Sequence, residues 1–346
     1  MSIPAFADIS KSANDLLNKD FYHLSAGTIE VKSNTPNNVA FKVTGKSSHE
    51  KATSGAVEGK YADKSLGNTT SPTNEATNKR HSRRRQPRQD SLSMTLSRIK
   101  VPGSRDFPLE FTILLNQHAS MLLMFYRRAG LTLTQTWNTA NALDTKVELA
   151  DTLARGLKAE TIFSFLPATQ NKNVKLNLTF KHAAFHARAF ADILKGPNVN
   201  VDAVIGHEGF LAGASAGYNV QKAAVTGYAA AVGYIAPQFS AAVTATDNLS
   251  VFAASYYHKV NSQVEAGTKA TWNSKSGNNV GLEVASKYRL DPTSFAKAKI
   301  NDRGVAAVSY NVLLRPGVTL GLGASFDTQK LDQATHKVGA SFTFES

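Results

Sequence analysis

The chain has 346 residues, of which 42% are hydrophobic and 19% charged, a balance that excludes disorder for most of its length. It contains no cysteine, so neither a disulfide framework nor a thiolate metal site can form. Its net charge is +13, and the +6 that lies outside residues 68–130 suits a surface or pore that attracts anions.

Apolar side chains recur at the helical period near the N-terminus and predict an amphipathic helix over residues 2–20. They are Phe6, Ile9, Ala13, Leu16 and Leu17. The segment has neither the apolar core of a secretory signal nor the basic character of a cleaved matrix-targeting peptide. Because the helix is short and its apolar face narrow, we expect it to pack against a larger structure.

Polar and apolar residues alternate from about Tyr22 onward, which predicts strands. The clearest runs are Lys175–Lys181, Gly281–Leu290, Thr319–Asp327 and Lys337–Phe344. One face of each run is apolar and the other small or polar, as expected for a barrel with lipid outside and water inside. No run of 18 apolar residues occurs, so a membrane protein of this sequence would cross the bilayer with strands. A soluble β-sandwich is the alternative on this pattern alone.

Residues 68–130 interrupt the alternation with a stretch rich in Ser, Thr, Asn and Arg. They hold eleven Lys or Arg and four Asp or Glu, so +7 of the +13 net charge lies there. The basic run Lys79–Arg85 is of a kind that binds nucleic acid. Like charges in a block repel one another, so we favour a disordered insert. A basic nucleic-acid-binding protein is the alternative of a different class.

Two long stretches carry a family resemblance. Pro4–Tyr22 is similar to the N-terminal pore helix, and Tyr288–Tyr310 to the signature sequence, of the eukaryotic mitochondrial porins, the voltage-dependent anion channels. The likeness is greatest to the fungal members, and it covers residues 1–67 and 131–346.

The resemblance implies an all-β fold, a transmembrane β-barrel of about 19 strands with the N-terminal helix in its lumen. It divides the chain into a pore helix at 1–21, the first strands at 22–67, the insert at 68–130 and the remaining strands at 131–346. The implied function is a voltage-gated, weakly anion-selective channel of the mitochondrial outer membrane that passes ATP, ADP, phosphate and other small metabolites. The related protein-import barrel of the same membrane is the alternative within this class.

The insert has a candidate origin in the gene. Family members run from the equivalent of Lys60–Lys64 directly into the sequence found here at Gly130–Trp137, and removal of 68–130 leaves 283 of the 346 residues. Codons for Gly67-Asn68 and Ala129-Gly130 can contain donor-like and acceptor-like splice sites. We therefore hypothesise a retained intron or an error in the gene model. The alternative is a genuine long loop, which is uncommon in a compact domain.

Candidate pore residues are basic side chains on the helix or on the lumen side of alternating strands, where they would concentrate anions. On the helix these are Lys19 and its neighbour Asp15. On the strands they are Lys42, Lys46, Lys60, Lys158, Lys175 and Lys181.

Two short motifs add candidates by resemblance. The family's nucleotide-associated motif is matched by Gly156, Leu157 and Lys158. The C-terminal sorting signal of mitochondrial outer-membrane barrels is matched by Lys337, Gly339, Phe342 and Phe344.

The sequence contains no catalytic or metal-binding arrangement above chance, so we expect neither an enzyme nor a cofactor. Gly213–Gly217 has the Gly-x-Ser-x-Gly spacing of a nucleophile elbow, but it lies in alternating strand sequence. The expected partners are outer-membrane lipid and, as permeants, nucleotides and small anions. A homo-oligomer is an open alternative, and no specific nucleic acid is expected.

Overall fold

The computed structural model describes residues 2–35, 39–50, 52–62, 131–151, 154–194, 196–277, 280–332 and 336–346. These residues contain one α-helix, three 3₁₀ turns and nineteen strands. The helix is α1 (Lys11–Asn18), and the 3₁₀ turns are Phe6–Asp8, Tyr22–Leu24 and Pro167–Thr169. The strands are β1 (Gly27–Asn34), β2 (Val39–Ser47), β3 (Thr53–Ala62), β4 (Leu131–Asn138), β5 (Leu143–Ala150), β6 (Leu157–Leu166), β7 (Asn171–Lys181), β8 (Phe185–Asp192), β9 (Asn198–His207), β10 (Phe210–Asn219), β11 (Ala224–Ile235), β12 (Phe239–Thr246), β13 (Val251–Lys259), β14 (Val264–Asn273), β15 (Val280–Asp291), β16 (Ser294–Asn301), β17 (Val305–Arg315), β18 (Val318–Asp327) and β19 (Lys337–Glu345).

The strands form one ring that closes on itself. Successive strands pair antiparallel, and β1 pairs with β19 in parallel, from Gly27↔Ala340 to Lys32↔Glu345. An odd number of strands requires one parallel pair, because the strand direction alternates along the chain. The predicted barrel of about 19 strands is therefore confirmed.

Alternation places apolar side chains outside the barrel and polar side chains inside. Ile29, Val31 and Val43 are exposed on the outer face of β1 and β2, whereas Glu30 and Lys42 form an ion pair on the inner face. Large apolar side chains so widely exposed would be a liability in water. They suit contact with lipid tails, which favours the membrane barrel over the soluble sandwich.

Aromatic side chains gather on the outer face near the ends of the strands. Phe210, Tyr234, Phe239 and Tyr256 follow one another across β10–β13, with neighbouring ring centroids 4.7 to 6.3 Å apart. Amphipathic and aromatic rings form such girdles at membrane–water interfaces. We therefore expect these four rings to lie near one membrane–water interface.

The N-terminal helix is shorter than predicted. One helix over residues 2–20 was the expectation, but α1 covers only Lys11–Asn18 and is flanked by the turns Phe6–Asp8 and Tyr22–Leu24, so that expectation is wrong in extent. Lys19 is extended and Asp20 has a φ of 61°, which ends the helix. No helix among the described residues is long and apolar enough to cross a membrane.

Strands β3 and β4 pair directly although residues 63–130 separate them in sequence. Their antiparallel register runs from Ala56↔Asn138 to Ala62↔Thr132. The barrel wall is thus continuous at this point. The predicted insert at 68–130, its disorder and its basic run at 79–85 lie outside the described residues.

Candidate functional site

The N-terminal segment, residues 2–25, lies inside the barrel. It contacts strands from β8 to β19, and Ile9, Leu16 and Leu17 are buried against the wall. So short a segment can reach this many strands of a ring only from the lumen. The predicted position of the helix is therefore confirmed.

The strand register extends this assignment around the whole ring, because paired residues share a face. Starting from Val204 and Leu211, which contact Ile9, the lumen face of the described strands carries sixteen basic and eleven acidic side chains, a net +5. The basic ones are Lys32, Lys42, Lys46, Lys60, Lys146, Lys158, Lys175, Lys181, Arg188, Lys259, Lys269, Lys287, Arg289, Lys297, Lys299 and Lys337. The acidic ones are Glu30, Glu58, Asp144, Glu148, Glu160, Asp192, Asp202, Glu265, Glu283, Asp327 and Glu345.

Glycines of the wall lie directly beneath the apolar side chains of the segment. A Cβ atom added at these glycines would come within 2.9 to 3.0 Å of the side chain above. The pairs are Gly213 under Phe6, Gly233 under Ile9 and Gly267 under Leu16. Absence of the Cβ therefore lets the segment lie close against the sheet.

Two lysines of β16 hold the C-terminal end of α1. Lys297 Nζ donates to the carbonyl oxygens of Lys19 at 2.6 Å and Asp15 at 3.2 Å, and Lys299 Nζ donates to that of Leu17 at 3.0 Å. The last carbonyls of a helix lack partners and carry the negative end of its dipole. Lys297 is only 3% exposed, so its charge serves the helix rather than the channel.

The contact between helix and wall extends on both sides of these bonds. The ring of Phe21 lies 5.0 Å from Lys297 Nζ and 4.8 Å from Lys299 Nζ, within cation–π range. Lys269 Nζ donates to Asn14 Oδ1 at 3.3 Å. The sequence predictions missed these lysines. For Lys297 and Lys299 the available signal was their alternation with alanine along β16, which gives that strand a charged face.

The N-terminal end of the segment is fixed on β8 and β9. His186 Nδ1 donates to the carbonyl oxygen of Ile3 at 3.2 Å. Next to it, Arg188 and Asp202 form a two-bond ion pair, with distances of 3.0 Å to Oδ1 and 2.8 Å to Oδ2. Asp202 is 6% exposed and the Arg188 side chain 20%, so the carboxylate is buried in the wall and the guanidinium is half-buried.

The predicted pore residues of the helix form an exposed ion pair. Lys19 Nζ lies 2.9 Å from Asp15 Oδ2. The hydrogen bond to Asp15 raises the pKa of Lys19 above its usual value, so this ammonium stays charged at neutral pH. Both side chains border the open part of the lumen.

On the opposite wall, Lys158 belongs to a lattice of four charges. Its Nζ lies 2.5 Å from Glu160 and 3.4 Å from Glu148, and Lys146 contacts the same two carboxylates. At a distance, the two carboxylates of the lattice cancel much of the electrostatic field of its two lysines. Lys42 is similarly paired, at 2.9 Å from Glu30.

Four predicted pore lysines face the lumen without such partners. The described residues provide no ion pair to Lys46, Lys60, Lys175 or Lys181. Lys46 is near the end of β2 and Lys60 near the end of β3. Because these strands are antiparallel, the two charges lie toward opposite mouths of the barrel.

The structure does not bring the Gly156-Leu157-Lys158 motif together as one site. Gly156 has a φ of +84° in the turn before β6, where a Cβ would collide with the backbone oxygen of Lys181. Leu157 lies on the lipid face and Lys158 on the lumen face. A turn requirement and barrel alternation therefore account for these three residues, and a nucleotide role stays a prediction.

The C-terminal motif is likewise divided between the two faces of β19. Lys337 and Gly339 face the lumen, whereas Phe342 and Phe344 face lipid and have ring centroids 6.5 Å apart. The motif thus describes one alternating strand at the closing seam. Its role in sorting stays a prediction.

The Gly-x-Ser-x-Gly match lies within a continuous strand. Gly213–Gly217 is the middle of β10, and Ser215 faces the lumen opposite Asp202. A nucleophile elbow needs a sharp strand-to-helix turn, which this strand does not make.

Comparison with known proteins gives consistent matches. The family model described as eukaryotic porin matches residues 2–104 and 115–339. The mitochondrial outer membrane protein porin of Neurospora crassa is 65% identical over 346 residues, covering 100% of both chains. That of Candida albicans is 42% identical over 344 residues, covering 99% of each. The non-selective voltage-gated ion channel 1 of Saccharomyces cerevisiae is 34% identical over 348 residues, covering 100% of each.

Proposed function

This chain belongs to the eukaryotic porin family, and we propose that it is a voltage-gated channel of the mitochondrial outer membrane with a weak preference for anions. Its fungal relatives are named as mitochondrial outer membrane porins and as a voltage-gated ion channel. The match to the porin model does not favour the import-barrel alternative. Small metabolites and ions are the permeants.

The proposed anion preference rests on the net positive charge of the lumen face. Sixteen basic and eleven acidic side chains leave an excess of +5 on the described strands. Part of the basic set is neutralised in the Lys158 lattice or buried under the helix. Among the basic side chains that remain, Lys46, Lys60, Lys175 and Lys181 attract anions electrostatically, over a range of about 8 Å at physiological salt. Nucleotides and phosphate are the metabolites this field favours.

The test is a reversal potential measured in a planar bilayer across a salt gradient. We expect the wild-type protein to favour chloride over potassium. Lys60→Glu and Lys175→Glu should each lower that preference, because they place a negative charge on the lumen wall. Lys222→Glu, in the exposed turn between β10 and β11, is the control and should shift the potential less.

The helix supplies a second arm of the same experiment. Lys19→Glu reverses an exposed charge of the N-terminal segment in the lumen and should also lower the anion preference. Asp15→Asn removes the partner carboxylate and should act in the opposite direction. Unchanged reversal potentials in Lys19, Lys60 and Lys175 variants would refute the assignment of selectivity to the lumen charges.

We further propose that residues 68–130 are not needed for conduction. The β3–β4 ladder from Ala56↔Asn138 to Ala62↔Thr132 uses none of them. A variant without 68–130 should refold into detergent and conduct like the full chain. Transcript sequencing across the junction tests the retained-intron hypothesis separately, and a uniformly unspliced message would refute that hypothesis.

A further inference from the structure

The turn Tyr22–Leu24 rests on three glycines of the last two strands. A Cβ at Gly323 would lie 2.7 Å from the backbone nitrogen of Tyr22 and 2.8 Å from that of His23. A Cβ at Gly339 would overlap the backbone oxygens of Tyr22 and Ser25, and one at Gly321 would overlap the Tyr22 ring. The wall can therefore accept the turn only where these side chains are missing.

Polar contacts hold the turn in this position. Asn311 on β17 donates to the Tyr22 hydroxyl, and His49, after β2, donates to the carbonyl oxygen of His23 at 2.8 Å. Two residues later the chain enters β1, whose parallel pairing with β19 begins at Gly27↔Ala340. The turn thus links the pore helix to the seam that closes the barrel.

We propose that Gly339 is a positioning residue for the pore helix, because its missing side chain makes the seat for the turn Tyr22–Leu24. The proposal rests on the channel function above and goes beyond it. Gly339 also belongs to the motif that resembles a sorting signal, where a glycine would serve recognition during import. The seat gives it a second role that acts after the barrel has formed.

The consequence of a side chain at this position follows from the backbone contacts. Neither oxygen that a Cβ would meet belongs to a flexible side chain, so the whole turn has to move. Phe21 directly precedes the turn and lies between Lys297 and Lys299. Displacement of the turn therefore loosens the hold on the C-terminal end of α1.

The experiment separates this role from sorting by leaving out import machinery. The full chain is refolded from denaturant into detergent with one spin label at Ser12→Cys, on the exposed face of α1. The labelling is specific because the natural sequence has no cysteine. We expect Gly339→Ala to gain a mobile spectral component and to close at lower voltage in planar bilayers. The matched control is Gly281→Ala, which places a methyl on the lumen face of β15 with its nearest contact at 3.8 Å, and its spectrum should match the parent.

A refolded Gly339→Ala protein with the parent's spectrum and voltage dependence would overturn the proposal and leave the channel function intact. Failure of the parent protein to conduct would instead refute the channel function.

A second measurement decides the question where Gly339→Ala does not refold. The three atoms nearest to a Cβ at Gly321 all belong to the ring of Tyr22, which Tyr22→Ala removes. If these glycines make room for the turn, Gly321→Ala increases the mobility of the label in the natural background. It causes no further increase in the Tyr22→Ala background. Equal effects of Gly321→Ala in both backgrounds would overturn the proposal.

Discussion

The lumen wall has two parts that use the same residue types differently. Strands β8–β19 form the covered wall, which the N-terminal segment contacts, and strands β1–β7 form the open wall. On the covered wall Lys297 and Lys299 bond to helix carbonyls. On the open wall Lys158 pairs with carboxylates, and Lys175 faces the channel without an ion pair to any described residue. A lysine at a lumen position therefore acts on the helix or on the permeant according to what lies above it.

Burial explains this difference. Beneath the helix water is excluded, so each polar group needs a fixed partner and each bond is worth more. On the open wall water reaches the lysine ends of the ion pairs, since the side chains of Lys146 and Lys158 are 34% and 40% exposed. These pairs are therefore weaker, and lysines without a partner cost little. The covered wall should thus govern stability and gating, and the open wall selectivity.

The largest expected effect breaks the Arg188–Asp202 ion pair of the covered wall. Asp202→Ala leaves the Arg188 guanidinium without its two-bond partner. Hydrogen bonds to charged groups are worth about 1.5–3 kcal/mol each, and the half-buried guanidinium loses two of them. Denaturant unfolding in detergent measures this free energy.

The open wall offers the matched control for that measurement. Glu160→Ala removes a carboxylate from the Lys158 lattice, but Lys146 and Lys158 both keep Glu148. The expected loss is about 1 kcal/mol or less. Equal losses for Asp202→Ala and Glu160→Ala would remove the energetic distinction between the two walls.

The next effect concerns the hold on the pore helix. Lys297→Met deletes the donor to Lys19 and Asp15, and hydrogen bonds to charged groups are worth about 1.5–3 kcal/mol each. We expect a spin label at Ser12→Cys to become mobile and the channel to close at lower voltage. One elementary charge moving through 100 mV changes the energy by about 2.3 kcal/mol, so a weakened bond of this size is enough to shift gating.

Comparison with the open wall makes this prediction specific. Lys175→Met should lower the anion preference and leave the label immobile, and Lys297→Arg should restore much of the hold by keeping the charge. If Lys297→Met shifted the reversal potential as Lys175→Met does, with no change in label mobility, Lys297 would belong with the selectivity lysines.

The sequence predicted the open wall better than the covered wall. Alternation with period two placed Lys42, Lys46 and Lys60 on one face of their strands, and the register puts that face in the lumen. The same alternation exists at Lys297 and Lys299, but nothing local distinguishes these residues. Their partners lie some 280 positions away in sequence, on a helix whose path depends on the finished barrel. Their role depends on long-range contacts, which the period-two alternation of the sequence cannot encode.

The N-terminal segment shows the same limit on a smaller scale. Of the five residues on its predicted apolar face, Ile9, Ala13, Leu16 and Leu17 are buried and Phe6 is half-buried. The apolar period did not predict the break before Lys11 or the end at Asn18, because the segment follows the curved wall. The wall glycines beneath it also have no signal in their own strands.

The smallest expected effect is a dependence of helix docking on pH. Burial lowers the pKa of His23 below its usual value, and the charges of Lys299 on β16, Lys337 on β19 and nearby His49 lower it further. The docked segment therefore holds fewer protons at this site than a released one. Docking is at full strength above the usual pKa of about 6.5 and weakens as the pH falls below it.

Spin-label mobility at Ser12→Cys between about pH 7.5 and pH 5.5 measures this dependence, in a window where carboxylates with usual pKa values near 4 stay ionised. The mobile fraction should rise on acidification. His23→Gln keeps a polar side chain of similar reach without a titrating proton, so its mobile fraction should stay constant over the same window. A rise of equal size in His23→Gln would show that a group other than His23 causes the pH response.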